Sequence, residues 1–354
     1  NGFTFYESMT FSAFGSVTWE MICESTTPSI NDMITTSFAA APVGEMLHRL
    51  YLEANAAGIP WPLSFLISPA DGLNKFVTGE NPQSKGGNLY ALGLFTGGAY
   101  VQMDSIEKTK GKNLFSFSGP AAAIGIDVVY GNPFEQQSTT PYEHFDLDMN
   151  IAIDAGNYID LRIVSDGYLF SFSPVNTTYD MMNTGLSMHF DFVSSGAFDM
   201  YDSTVDHASN AIDWTIKNRH IFRNGFIFES KVHAGLTFFG VSEYFSPNTA
   251  DTTLKNYGGG ANIKLFFDIT EHVFGKVSFS IFQYSLWTFP ETTDLSAGNV
   301  HWLFVDVKYS RFISKHLSFG AAFSSVLEYG FFTGFPDTRK LSTGVKTFIT
   351  WNLY

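Results

Sequence analysis

The chain has 354 residues, with 34 acidic against 20 basic side chains for a formal net charge of −14, and a mean hydropathy of +0.03. That surplus of acid leaves no basic patch for phosphate and excludes a nucleic-acid partner. The single cysteine, Cys23, excludes an internal disulfide framework and a thiolate metal cage. No stretch approaches the ~20 apolar residues that a spanning helix needs. Aromatic residues nevertheless make up 17% of the chain, which is high for a soluble domain and natural for interfacial girdles.

The chain opens on Asn1-Gly2-Phe3 with no charged or apolar leader, so a processed or truncated form is expected. From Glu7 to Leu52 small and apolar residues recur at helical spacing, with a strand through Phe3, Phe5, Met9 and Phe11 as the competing reading. Ser29 is expected as an N-cap with Asp32 as its capping-box partner. The helix they start runs through Met33, Ile34, Phe38, Leu47 and Leu50, and Pro42 should kink or break it. Ala39, Ala40, Ala41 and Gly44 carry little bulk and should let another backbone come close, with Trp19 as an anchor. Glu45 and Arg49, four residues apart, read as a surface ion pair, and His48 as an exposed helix residue. Pro60-Trp61-Pro62 closes this stretch, and Pro69 begins a further short helix through Phe76. Residues 78–87, rich in Gly, Asn, Pro and Ser, form a linker.

Several spaced motifs occur here in one order: Trp19-Glu20, Glu24, Pro28-Ser29-Ile30-Asn31-Asp32, Gly44-Glu45 with Arg49, and Gly72-Leu73-Asn74-Lys75. In these the chain resembles an uncharacterised, domain-of-unknown-function family of Gram-negative outer-membrane proteins with the pattern WE…E…PSxND…GE…R…GLN[KR]. The resemblance implies an envelope location and an N-terminal region followed by a β-barrel. No activity comes with it.

Beyond the linker the period changes to two. His144-Phe145-Asp146-Leu147-Asp148-Met149-Asn150-Ile151 alternates apolar and polar, as do 185–192 and 212–217. Strand side chains point alternately to opposite faces, so each segment has one greasy and one polar face. About twelve such segments follow in order: 88–104, 113–130, 143–154, 157–173, 183–195, 208–221, 226–241, 258–270, 273–288, 299–312, 316–332 and 341–354. Each is near or above the ~9–11 residues of a tilted membrane strand. An even number of strands with Phe, Trp, Leu and Met on the greasy face points to a transmembrane barrel, apolar outside and polar within. The fold class expected is an all-β membrane protein with a small helical part: residues 81–354 an antiparallel barrel, residues 1–80 a helical plug or periplasmic cap. Connections 131–142, 196–207 and 289–298 are expected outside the cell, and Gly156, Gly225 and His272 on the periplasmic side.

If apolar faces meet lipid, the lumen is lined by Asp146, Asp148, Arg162, His189, Asp191, Asp213, Lys217, Arg219, Glu229, Lys231, His233, Lys264, Asp268, Asp306 and Lys308. Acids and bases are mixed, which suits charge pairing across the wall. Ser187, His189 and Asp191 resemble a hydrolytic triad in composition. Alternate residues of one strand stand ~7 Å apart, however, which excludes a triad made by these three alone and leaves open His189 with a serine on a neighbouring strand. No short-range spacing of His or Asp supports a metal site, and no cofactor is expected. The expected function is a non-enzymatic outer-membrane barrel, a narrow or gated conduit or a scaffold in an envelope complex, in contact with outer-membrane lipid or lipopolysaccharide. A lipid-acting hydrolase is the alternative.

Overall fold

The computed structural model describes residues 3–23, 30–79, 86–107, 112–134, 138–154, 158–197, 205–245, 253–290, 297–333 and 337–353. Helices α1 (Phe5–Thr18), α2 (Ile30–Ala56), α3 (Trp61–Ile67) and α4 (Pro69–Thr78) come first, with a π turn, Trp19–Cys23, after α1. Twelve strands follow: β1 (Leu89–Glu107), β2 (Lys112–Tyr130), β3 (Phe145–Asp154), β4 (Tyr158–Asn176), β5 (Asp180–Ala197), β6 (Val205–Ile221), β7 (Ile227–Phe245), β8 (Thr253–Glu271), β9 (Gly275–Pro290), β10 (Gly298–Ser314), β11 (Leu317–Phe332) and β12 (Thr338–Asn352). Each pairs antiparallel with its sequence neighbours, and β1 pairs with β12, closing a barrel with no free edge.

Contacts between strands that are not neighbours identify the inner face. Asp146 on β3 meets Lys217 on β6 and Lys231 on β7, and Arg162 on β4 meets Asp306 on β10. Such contacts can only cross the lumen. The opposite face carries exposed Trp214, Leu236, Phe279, Trp287, Phe319 and Trp351. There Phe228, Phe267 and Phe279 stack across three strands at centroid spacings of 6.4 and 6.3 Å. The barrel is therefore polar within and apolar without.

One sector of the outer wall is covered. Val128 and Tyr130 on β2, Phe145 and Leu147 on β3, and Met188 on β5 occupy outward positions, yet they are buried in one cluster with Phe5 and Met46 of the helices. The Phe38 ring of α2 meets Phe238 of β7 at 5.1 Å, and Phe5 of α1 meets Tyr142 at 5.3 Å. Near the other end of α2, Arg49 lies over the Tyr130 ring, bonds Glu45 at 2.8 Å and donates to the Pro141 carbonyl at 2.8 Å. The Glu53 carboxylate accepts from the backbone N–H groups of Gly87 at 2.9 Å and Asn88 at 3.2 Å. The helices thus clasp the outside of the barrel from β7 to the rim where β1 begins. The helix contacts named here are with outward positions of the wall, while strand side chains line the lumen.

Individual expectations in this segment fare differently. Glu45 and Arg49 do pair, but half-buried and tied to the barrel. His48 bonds Asp71 of α4 at 2.9 Å and is half-buried, where an exposed residue was expected. Pro42 leaves α2 continuous. Gly44 faces open space, with nothing within 4 Å of a Cβ built there, so it is not a close-approach surface. Trp19 is 60% exposed and anchors nothing within the barrel. Ser29 and the side chains of Asp32 and Ala40 lie outside the described residues.

The two ends of the barrel also differ from expectation. Connections 131–144, 177–179, 222–226, 272–274 and 315–316 share the rim with the start of β1 and the end of β12. The connection 131–144 therefore lies with Gly225 and His272, not opposite them. Gly156 is outside the described residues, and its connection joins β3 to β4 at the far end. Loop length misled here because 131–144, the longest connection, belongs to the end that otherwise carries short turns.

Candidate functional site

Period-two alternation sets Ser187, His189 and Asp191 of β5 inward, and register places Ser187 opposite Asp213 of β6, with Thr215 the next inward residue along that strand. Thr215 faces His233 of β7, and His233 faces Lys264 of β8. The result is one connected polar network. Lys231 bonds Asp146 and Asp166 at 2.6 Å each, and Lys217 bonds Asp146 at 2.8 Å. His233 Nδ1 bonds Thr215 at 2.6 Å, and Thr215 bonds Ser187. Ser187 bonds His189 Nε2 at 2.9 Å, and His189 Nδ1 stands 3.2 Å from Lys264. Lys264 pairs with Asp191, which also accepts from Tyr284 of β9 at 2.6 Å. Such charges are stable away from water only because each has an opposite partner.

The contact between Ser187 and His189 corrects the argument from spacing. Backbones ~7 Å apart still allow a bond when a long side chain leans along the strand. The third partner of a triad is not Asp191, which is held by Lys264 and Tyr284. Asp213 approaches His189 at 3.3 Å, but on the same Nε2 that meets Ser187. An orienting acid belongs on the other ring nitrogen, and here that nitrogen faces an ammonium. Ser187 and His189 have no exposed surface, so no ester can reach them.

Asp166, His189 and His233 bring three ligand atoms within 4.8 Å of one another, a grouping that sequence spacing did not suggest. Buried His233 Nε2 has no hydrogen-bond partner. The donors nonetheless fit a cation poorly. Lys231 already neutralises Asp166 at 2.6 Å, and Lys264 adds a second positive charge beside His189. The ammonium groups stand where a metal's charge would act, and the set is read as an ion-pair network.

The other expected lumen residues take their places around this network. Arg219 bonds Glu229 at 2.6 Å and Tyr90 at 3.2 Å, and lies over the Phe134 ring near the rim. Asp268 pairs with Lys276 at 2.8 Å. Asp148 bonds Asn150 at 3.4 Å, and Lys308 lies over the Phe95 and Phe348 rings. Toward the far end Phe282, Tyr284, Trp302 and Phe304 pack into an apolar cluster. Sequence reading missed Asp166, Lys276 and Tyr284. Continuing the period from Asp160 and Arg162 to Asp166 would have found the first.

The rest of the lumen is lined differently. Inward positions on β1, β2, β3, β11 and β12 carry Ala99, Ala123, Ala152, Ser324, Ser342 and Gly344. These small residues leave a cavity of about 50 Å³, bounded by Arg162, Asp306, Asp160 and Lys346. The Arg162 guanidinium holds Asp306 at 2.7 Å across it.

Residues 1–65 match the family described as Domain of unknown function (DUF3943). This stretch holds the motifs that carry the resemblance to an uncharacterised family, except Gly72-Leu73-Asn74-Lys75, which lies beyond it. No curated protein matches the chain. Among solved structures, the toluene transporter TodX of Pseudomonas putida is 7% identical, covering 74% of this chain and 89% of that chain, with a TM-score of 0.28. An outer membrane channel of Pseudomonas putida F1 is 7% identical over 77% of this chain and 99% of that chain, at 0.35. The outer membrane protease OmpT of Escherichia coli is 6% identical over 76% and 99%, at 0.26. These scores lie below a meaningful overall superposition, and the fold stands on the strand pairing itself.

Proposed function

We propose that the protein is a narrow, gated conduit in a bacterial outer membrane, closed in the state described. The observation that carries this is the asymmetry of the lumen. One half is occupied by the buried ion-pair network and the aromatic cluster. The other is lined by small residues, and one ion pair, Arg162–Asp306, crosses its cavity. A cavity of this size holds a few waters at ~10–15 Å³ each. Opening the pair would extend a passage fit for water and small ions. Its mixed lining, with Asp160 against Lys346, does not commit the passage to one sign of charge.

The pair is the place to test. In planar bilayers the parent protein should be almost silent, and Asp306→Ala or Arg162→Ala should raise single-channel conductance. Variants as silent as the parent, with the barrel still folded, would refute the conduit. The hydrolase alternative gains nothing from the geometry, because Ser187 and His189 are sealed within the wall.

A further inference from the structure

We infer that the exposed faces of the helical segment lie in phospholipid acyl chains, as a membrane-bound clasp continuous with the bare barrel wall beside it. This rests on the reading of the barrel as membrane-spanning and goes beyond it, since nothing about a conduit requires the helices to meet lipid.

Position is the first argument. The helices cover outward positions of strands whose other outward residues are exposed and apolar. Phe238, against which Phe38 packs, is two residues from Leu236, which is 67% exposed. Whatever solvates Leu236 therefore also reaches the edge of α2.

The helices themselves are the second. A helix at a water interface turns charge outward. α1 instead buries Phe5 and exposes Tyr6, Phe11, Phe14 and Val17, and its one charged residue, Glu7, is exposed but bound into the cap at the helix start. α3 and α4 expose Leu63, Leu66, Leu73, Phe76 and Val77, while Ser68 and Asp71 turn inward and bond one another and His48. Polar groups inward and apolar groups outward is the arrangement that hydrocarbon selects.

Polar satisfaction is the third. In lipid every polar group needs an internal partner. The exposed Thr10 and Thr18 hydroxyls fold back on the Tyr6 and Phe14 carbonyls at 2.8 and 2.7 Å. Thr4 and Glu7 close the start of α1 with a reciprocal capping box. At ~21 Å, α1 is shorter than the ~30 Å hydrocarbon core, so it lies against the wall and does not cross.

Cys23 is the chain's only cysteine and is exposed, so a nitroxide can be placed there without any substitution. Two further sites, Phe14→Cys and Leu236→Cys, and the turn variant Asn224→Cys, would be made on Cys23→Ser. In phosphatidylcholine vesicles, collision with oxygen and with a neutral nickel chelate is then measured. Positions 14 and 23 should match 236, open to oxygen and closed to nickel, whereas 224 should be open to nickel. Nickel access at 14 and 23 equal to that at 224 would place the helices in water and overturn the inference while leaving the barrel reading intact. Exclusion of both reagents there would mean that a protein surface covers them, and would overturn it equally. Nickel access at 236 would overturn the membrane barrel and the inference with it.

Discussion

Lys231 is the most informative residue to remove from the lumen. Its ammonium stands 2.6 Å from oxygens of both Asp146 and Asp166. At an effective dielectric of ~20 each contact carries about 6 kcal/mol of gross attraction, most of which desolvation takes back. Deleting one partner is different, because the desolvation persists while the attraction is gone, and the typical loss is about 3–5 kcal/mol. The structure says where that loss falls. Asp146 keeps Lys217 at 2.8 Å, whereas Asp166 is left with His233 at 3.9 Å. Lys231→Met should therefore cost about 3–5 kcal/mol. Adding Asp166→Asn should recover most of that, and adding Asp146→Asn little. Guanidinium unfolding of the reconstituted protein, followed by tryptophan fluorescence and heat-modifiable gel mobility, measures all three. A single-variant loss under about 1 kcal/mol, or equal rescue by the two asparagines, would refute the reasoning.

Two further outcomes are expected from the same unfolding assay. Burial, and after it the charge of Lys217, lowers the His144 pKa to about 4. The unfolded chain, with a histidine near ~6.5, takes up the proton first, so stability should be level above that pH and fall by up to about 3 kcal/mol as pH drops toward 4. His144→Phe should flatten that part of the curve, and an unchanged slope would count against it. At Gly167 a Cβ would stand 2.2 Å from the Tyr142 ring, so Gly167→Ala should cost about 1–3 kcal/mol by overpacking, while Gly44→Leu stays within about 0.5 kcal/mol. The reverse order would show that Tyr142 is not packed against β4.

Much of the barrel was legible because period two is a local signal, repeated in every strand. All twelve strands were found, and the residues alternating with Phe145, Leu147 and Met149 pointed to the lumen side without any knowledge of register. What register adds could not be read. That Lys231 faces Asp166, or that Asp213 rather than Asp191 approaches His189, depends on which residues stand opposite across a closed sheet. Sidedness failed for a related reason, since loop length reports the end of a barrel only on average, and both 131–144 and the short β3–β4 connection depart from it. The helices were recognised as helices, but a run of Ala39-Ala40-Ala41 and Gly44 says only that something could come close. It does not say from which side of a wall, and at Gly44 nothing comes close at all.

The covered sector of the wall bears on how the molecule is made. The surface that receives α1 and α2 is assembled from β2, β3 and β5, with Phe238 of β7 at its edge. None of it exists until those strands are paired. The helices, which precede every strand in the chain, are thus among the last elements to find their place. Until then Phe5, Met46 and Phe38 have nowhere to pack, and their apolar surface stays open to unwanted association for longer than that of any strand.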